Sequence, residues 1–333
     1  MGCHRSGTNL LYDTLLSAGG FAIYRGILPV YKTLVPRYGS LGSRANREKI
    51  VATWVRSKGF RRAGLDAGEI SSRILNECRT AGDFTRMIMD SVARQQNLKR
   101  WAGYDADHVL YVERIKKEIP NALFVHIIRD GRDIALSLKK MGGFTPLPWD
   151  RSETDSLVAT ALYWEWMVRR GRNAGSRIPA DYIEVRYEDL VTNPRETLGR
   201  LGSFIDHDLD YDRIQKAGLG RLSESNSSFR EEARQNIHPL GRWKQRLSLA
   251  AVAAIEGTVG ACLEENGYEL SLPAAERRLT PRRAWMREVY PAFLETKLWL
   301  KWNTPLGRMA NLSELEVDEA TQAASQSHRP AQS

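Results

Sequence analysis

Cysteine is nearly absent from this chain of 333 residues, and the three that occur, Cys3, Cys78 and Cys262, are odd in number and far apart. That pattern speaks against both a disulfide framework and a paired zinc motif, and makes a reducing compartment the expected setting. The six histidines (His4, His108, His126, His207, His238 and His328) never stand four residues apart, the spacing that puts two imidazoles on one helix face, so a metal hydrolase is not expected. Also missing are a run near eighteen apolar residues and an apolar leader, since Arg5 follows almost at once; the expectation is a soluble or peripheral chain. What is present is ordinary: 42% hydrophobic and 27% charged residues, enough for one large or two ordinary domains with a buried core. The net charge of +9 favours anionic partners without choosing among them. Residues 277–308 hold eight Lys/Arg against two Glu, so most of the basic excess is C-terminal.

Gly2-Cys3-His4-Arg5-Ser6-Gly7-Thr8 is a glycine-containing turn that feeds an apolar-periodic helix with Leu10, Leu11, Leu15 and Leu16, closed at Gly19-Gly20. Residues 35–47 are rich in Pro, Gly, Ser and Arg and read as a mobile loop, followed by helical stretches near 46–58, 66–79 and 82–97. Residues 122–128 (ALFVHII) are the short continuous apolar run that a buried parallel strand needs, and Arg129-Asp130-Gly131-Arg132-Asp133 turns it into a helix over 133–140. After a turn at Pro146 and Pro148, a long helix over 154–172 carries Trp164 and Trp166. Two residues apart, these cannot share a helix face, so at least one is expected to be exposed or to face an acceptor. Tyr182–Arg186 reads as a strand, and Asn193-Pro194 opens a helix through Leu201. Residues 222–247 are polar and aperiodic, 249–265 are helical, and 281–302 form an aromatic, basic segment that Pro291 is expected to kink. From Ser313 onward no periodicity remains and disorder is expected.

Gly2 and Gly7 have the G-x-x-x-x-G spacing of a phosphate-cradling loop, in which backbone N–H groups and a helix N-terminus face an anion. A nucleoside triphosphatase needs Lys and then Ser/Thr after the second glycine, but those places hold Thr8 and Asn9. The cation sits inside the loop instead, at Arg5 beside the Ser6 hydroxyl, which suits a ligand whose reacting group carries less charge and needs no metal. A Gly-rich turn with an exposed Arg would read the same way. Arg129 at the strand end and Ser137, about two helical turns further on, could together grip one more phosphate. With R-S-G-T at 5–8, this second unit, and Tyr187-Glu188-Asp189-Leu190 after the later strand, residues 1–272 resemble the sulfotransferase family in motif wording, order and separation. Gly241-Arg242-Trp243-Lys244 resembles the basic loop late in many bacterial members.

The resemblance implies an α/β fold with a three-layer, P-loop-like parallel sheet flanked by helices. With the reading of the residues above, this gives a domain over 1–272 that holds a helical insertion at about 46–100, a basic aromatic helical extension over 273–312 and a disordered tail over 313–333. The implied co-substrate is 3′-phosphoadenosine 5′-phosphosulfate (PAPS), with no metal required. Arg5, Ser6, Gly7, Thr8 and Asn9 would hold the 5′-phosphosulfate, and Arg129 and Ser137 the 3′-phosphate. Arg5 would meet charge developing on the leaving phosphate. Tyr187 would neighbour the adenine, or be a core tyrosine; Arg242 and Lys244 would close over the donor, or belong to a solvated loop. A general base is also needed. Many bacterial members resemble W-[AG]-[DE]-x-T-P before the next helix, whereas this chain reads Trp101-Ala102-Gly103-Tyr104-Asp105-Ala106-Asp107-His108. Asp105 is the first substitute and His108 the second, against the readings that Asp105 or Asp107 caps a helix and His108 packs on it. Asp130 and Asp133 read as scaffolding, capping the helix or pairing with Arg132. Because only Met1 precedes Gly2, the expected first strand is truncated and the true start is expected upstream. The implied activity is sulfuryl transfer to an acceptor hydroxyl, on carbohydrate or glycolipid rather than protein, by a cytoplasmic enzyme with no nucleic-acid partner. Residues 281–302 would dock on the protein itself or lie at the inner membrane face. The rivals are an inactive nucleotide-binding paralogue and a P-loop kinase-like phosphotransferase.

Overall fold

The computed structural model describes residues 1–141, 147, 152–217, 240–277 and 279–316. The expectations for Pro146 and Pro148, for most of 222–247 and for 317–333 lie outside the described residues. The strands are β1 (Phe21–Ala22), β2 (Arg100–Trp101), β3 (Phe124–Ile128) and β4 (Tyr182–Arg186). The longer helices are α1 (Thr8–Ala18), α2 (Arg44–Trp54), α3 (Ala67–Glu77), α4 (Ala81–Gln95), α5 (Gly131–Met141), α6 (Glu153–Gly175), α7 (Pro194–Ile205), α8 (Leu249–Glu265) and α9 (Pro281–Asn303). The chain divides into two compact units. Met1–Gly19, Ala106–Glu113 and Asn121–Leu298 form the first; Gly20–Asp105, Arg114–Pro120 and the chain from Trp299 form the second.

In the first unit β3 is almost wholly buried, as an uninterrupted apolar run must be, and pairs in parallel with β4 from Phe124↔Tyr182 to Ile128↔Arg186. On its other edge the Met1 amine donates to Val125 O (2.9 Å) and the Ile127 amide to Met1 O (2.9 Å), the spacing of a parallel ladder. β3 is therefore flanked on both edges where it hands the chain to Arg129. The core beside it is built from α5, α6, α8 and α9.

The reading of Trp164 and Trp166 needs correction, because both are buried. Every residue of helix α6 from Leu157 to Val168 is buried, Thr160 and Glu165 included, so the helix is covered on every side. Each indole satisfies its N–H on a different side: Trp164 Nε1 donates to Arg129 O (3.0 Å) and Trp166 Nε1 to Glu295 Oε1 (2.7 Å). The segment around Pro291 runs as one helix, α9, since proline removes a single N–H while Met286, Tyr290 and Leu294, at i, i+4 and i+8, dock into the core. Trp285 and Phe293 remain exposed on its outer face.

The second unit is helical, with α4 opened by a capping box between Thr80 and Asp83 and with Trp54 edge-on to Phe60 and Phe84 at centroid distances of 5.1 and 5.6 Å. The stretch 35–47, expected as a mobile loop, is instead helical at Val35–Tyr38 and again from Arg44, with Leu41 and Arg47 buried. Arg47 is buried and donates to Leu41 O (2.8 Å), Gly42 O (3.1 Å) and Leu75 O (3.0 Å), so one guanidinium satisfies the carbonyls that a polar turn would otherwise leave to water.

Candidate active site

The loop before α1 turns at two glycines with positive φ. Gly2 has φ +155 and Gly7 φ +99; a Cβ on Gly2 would stand 2.3 Å from Ile127 O, and one on Gly7 2.5 Å from the Tyr187 ring. Between them Arg5 adopts φ 73, a left-handed conformation that costs a non-glycine residue about 1–3 kcal/mol. The α1 ladder begins with Leu11 N–H on Gly7 O, so the amides just before it have no partner within the helix. A Gly7→Ala variant is expected to lose roughly 1–3 kcal/mol of stability through forced positive φ and displacement of Tyr187, read by urea unfolding; an unchanged midpoint would refute that close packing.

Charge is concentrated around this loop. Arg5 Nε donates to Ser137 Oγ on α5 (3.1 Å), while Arg129, at the end of β3, lies 4.4 Å over the Tyr187 ring and reaches Asp133 Oδ2 from Nη2 (3.3 Å). Burial, and next the charge of Arg129, lower the Arg5 guanidinium below its ordinary value: two cations have been brought together in a partly desolvated place. Ser6 Oγ is fully buried in the same loop and, among the described residues, has no hydrogen-bond partner. A phosphate or sulfate in the cradle would offset the repulsion and satisfy the hydroxyl. Ser137 and Asp133 stand four apart on α5 and so present themselves to Arg5 and Arg129 from one face.

Directly after Arg129 in the chain, Asp130 and Arg132 belong to a buried ionic cluster. Arg132 forks onto Asp130 (Nε–Oδ1 3.0 Å, Nη2–Oδ2 2.8 Å) and reaches Glu256 Oε1 from Nη1 (2.6 Å). The Trp243 ring covers the guanidinium at 3.8 Å and donates Nε1–H to Asp130 Oδ2 (3.1 Å). Asp133 accepts the Gly241 and Trp243 amides, each at 3.0 Å, and burial above all raises its carboxyl. Asp130 thus pairs with Arg132 as the sequence suggested, whereas Asp133 ties residues 241–243 to the helix that carries Ser137. Arg242, between those two amides, is buried; Lys244 is exposed, 5.7 Å from the Trp243 ring.

Tyr187 is a buried ring wedged between Gly7 and Arg129. Asp105 belongs to the second unit, and His108 is half-buried in the 3₁₀ turn Ala106–Leu110 of the first. That turn holds a pair that the sequence did not suggest: buried Asp107 Oδ1 lies 3.0 Å from His4 Nε2, and the Gly2 amide donates to Ala106 O (3.3 Å). Nothing in the sequence links positions 4 and 107. Trp243 was legible only as part of a basic loop. His126, unlike half-buried His4 and His108, is fully buried; it contacts the Tyr182 hydroxyl at 2.6 Å and is pushed down to about 3 by burial, so it is a neutral core ring.

Residues 1–211 match the sulfotransferase family profile. Two nematode proteins whose names mark them provisionally as protein-tyrosine sulfotransferases align over 155 residues: the Caenorhabditis elegans protein at 24% identity, covering 46% of this chain and 56% of that protein, and the Caenorhabditis briggsae protein at 23%, covering 46% and 51%. The chain spans about half the length of these curated relatives. Among solved structures, the sulfotransferase domain of the Synechococcus PCC 7002 olefin synthase aligns at 15% identity and TM-score 0.47, over 87% of this chain and 92% of that one. A sulfotransferase domain from the curacin biosynthetic pathway aligns at 17% and 0.46, over 81% and 96%. The profile match over most of the chain, on the residues that build the Arg5–Arg129 cradle, shows that this protein belongs to the sulfotransferase family.

Proposed function

We propose that the chain transfers a sulfuryl group from PAPS to an acceptor hydroxyl, within a three-layer, P-loop-like domain over 1–272 extended by 273–312. The observation that carries this reading is the convergence of Arg5, Arg129 and the buried Ser6 hydroxyl on one glycine-edged loop. Bound PAPS would supply the sulfuryl group and a phosphate leaving group. Ser6, Gly7, Thr8 and Asn9 hold the 5′-phosphosulfate, and Arg5 stabilises negative charge as it gathers on the leaving phosphate. Arg129 and Ser137 hold the 3′-phosphate, Tyr187 backs the nucleotide, and Arg242 and Lys244 close over it. Asp133 keeps Arg129 and the 241–243 segment in register. In the transfer an acceptor O–S bond forms, the S–O bond to the phosphate breaks, and the hydroxyl proton must leave.

The His4–Asp107 pair supports an assignment of that proton to His4: a carboxylate that fixes one ring nitrogen orients the other and stabilises the imidazolium. Asp105 and His108 are the competing bases. A His4→Gln variant that loses the acidic limb of the kcat profile, the fall at low pH as the base is protonated, with His108→Gln and Asp105→Asn retaining it, is the expected result; the reverse pattern moves the role. The acceptor class we favour is carbohydrate or glycolipid in the cytoplasm, with exposed Trp285 and Phe293 beside exposed Arg287 and Lys297 suited to an anionic inner-membrane surface. Sedimentation with anionic liposomes that survives Trp285→Ser/Phe293→Ser argues against that contact. The names of the nematode relatives favour a second acceptor, a tyrosine hydroxyl.

The deciding experiment incubates the purified protein with radiolabelled PAPS and parallel panels of glycans, glycolipids and tyrosine peptides. Thermal shifts with 3′-phosphoadenosine 5′-phosphate (PAP) and with ATP·Mg²⁺ accompany it. Label transfer plus a PAP shift is expected. A PAP shift without transfer identifies an inactive binder, and a shift with ATP·Mg²⁺ alone overturns the reading in favour of a phosphotransferase.

A further inference from the structure

A cavity of about 600 Å³ lies within the second unit, bordered by the short helix Val35–Tyr38 and the residues after it to Leu41, the start of α4, the residues Arg114 and Glu118, and the segment 302–308. Its volume suits a ligand of several rings, and it shares no residue with the loop at 2–9 or with Arg129, Ser137 and Tyr187. Four arginines line it: Arg37, Arg79, Arg114 and Arg308. Among the described residues none of the four makes an ion pair. Glu118 is the one carboxylate among the lining residues, and it is committed elsewhere, its Oε2 accepting the Gly82 amide (2.8 Å) and the Tyr31 hydroxyl (3.0 Å). Burial, and next Glu118 itself, push the Tyr31 phenol far up, so it remains the donor in that bond.

Three of the four guanidiniums are held by contacts. Arg37 Nη1 donates to Arg308 O (3.0 Å) and Ala310 O (2.7 Å), Arg79 Nη1 donates to Cys78 O (2.9 Å), and Arg114 stacks 3.8 Å from the Trp302 ring. Each of these arginines has five N–H donors, and the observed bonds engage only Nη1 of Arg37 and of Arg79. Several fixed forks without counter-ions, in one concave wall that also presents Trp302 and Tyr38, match a ligand with more than one acid group on a ring framework.

We infer that this cavity is a second ligand site, taking an acidic saccharide that bears at least two sulfate or carboxylate groups. The inference rests on the sulfotransferase reading only for the choice of a saccharide as the carrier of those groups. The test titrates sucrose octasulfate, with uncharged sucrose as control, into the full chain saturated with PAP, followed by calorimetry. The octasulfate is expected to bind and sucrose not to. Arg79→Ala/Arg114→Ala, both exposed positions, should weaken it about tenfold or more with thermal midpoint and PAP affinity unchanged, and Arg114→Lys should restore part of the loss. Equal octasulfate affinity in wild type and double variant overturns the site, as does a loss produced instead by Arg5→Gly. Tighter binding of a sulfotyrosine peptide at the same arginines would make it a peptide site and overturn the saccharide assignment. Failure to bind PAP would count against the sulfotransferase reading alone, because the octasulfate titration without PAP still decides the cavity.

Discussion

Arg129→Ala is expected to weaken PAP binding by about a hundredfold or more, since it removes a guanidinium able to make two charge-assisted hydrogen bonds to one phosphate, each worth roughly 1.5–3 kcal/mol. The side chain is already set in place for such a grip, being buried, stacked over Tyr187 at 4.4 Å and braced by Asp133 at 3.3 Å. Removing it also takes the ion-pair partner from the Asp133 carboxylate, which among the described residues keeps only the Gly241 and Trp243 amides, so some stability falls with the affinity. Arg5→Gly separates the two effects. Its φ of 73 suits glycine, so deleting the side chain relieves strain while deleting a positive charge from the cradle. Stability at or slightly above wild type, with PAP affinity down about tenfold or more, is the expected pair of results from calorimetry and urea unfolding. Wild-type PAP affinity in both variants would show that the cradle is not the donor site.

The largest stability effect is expected at Arg132. Its fork onto Asp130 and its bond to Glu256 are buried on all sides, and its Nη1 also donates to Glu269 O (3.0 Å). Breaking a buried ionic cluster by removing one partner leaves uncompensated charge and typically costs about 3–5 kcal/mol, although replacing a whole cluster by apolar groups can be neutral. Arg132→Met should therefore lower stability by about that amount and loosen Trp243, whose ring covers the guanidinium. Adding Asp130→Asn and Glu256→Gln should recover part of the loss by removing the stranded charges. A urea midpoint within error of wild type for Arg132→Met would show that the cluster contributes nothing net. The same variant should weaken PAP binding less than Arg129→Ala does, because Arg132 is bonded to Asp130 and Glu256 rather than belonging to the cradle.

Local readings fared best where a short segment decides its own structure. The 122–128 run yields β3, Tyr182–Arg186 yields β4, and the helices over 154–172 and 249–265 appear as α6 and α8 with small changes at their ends. The exception at 35–47 is instructive. A stretch rich in Pro, Gly and Ser shows no apolar period, and its order comes from polar side chains at its own end: Arg47 on α2 donates to Leu41 O and Gly42 O, and Asn46 to Ser40 O. Trp164 and Trp166 erred for a related reason: helical period says which residues share a face, but not how many faces a neighbouring helix will cover.

By itself the sequence determined the positions of the strands and main helices, the glycine-edged loop with its internal arginine, and the family resemblance, because each is a property of residues close together in the chain. Only the tertiary structure decided that Arg5 meets Ser137, that Asp133 fastens Gly241 and Trp243, that His4 faces Asp107, and that four arginines share one cavity wall. Outside the arginine set, where Arg37, Arg79 and Arg114 stand closer in the chain, these partners are more than a hundred positions apart. Their meeting depends on how whole elements pack to bury apolar surface, which no local pattern encodes.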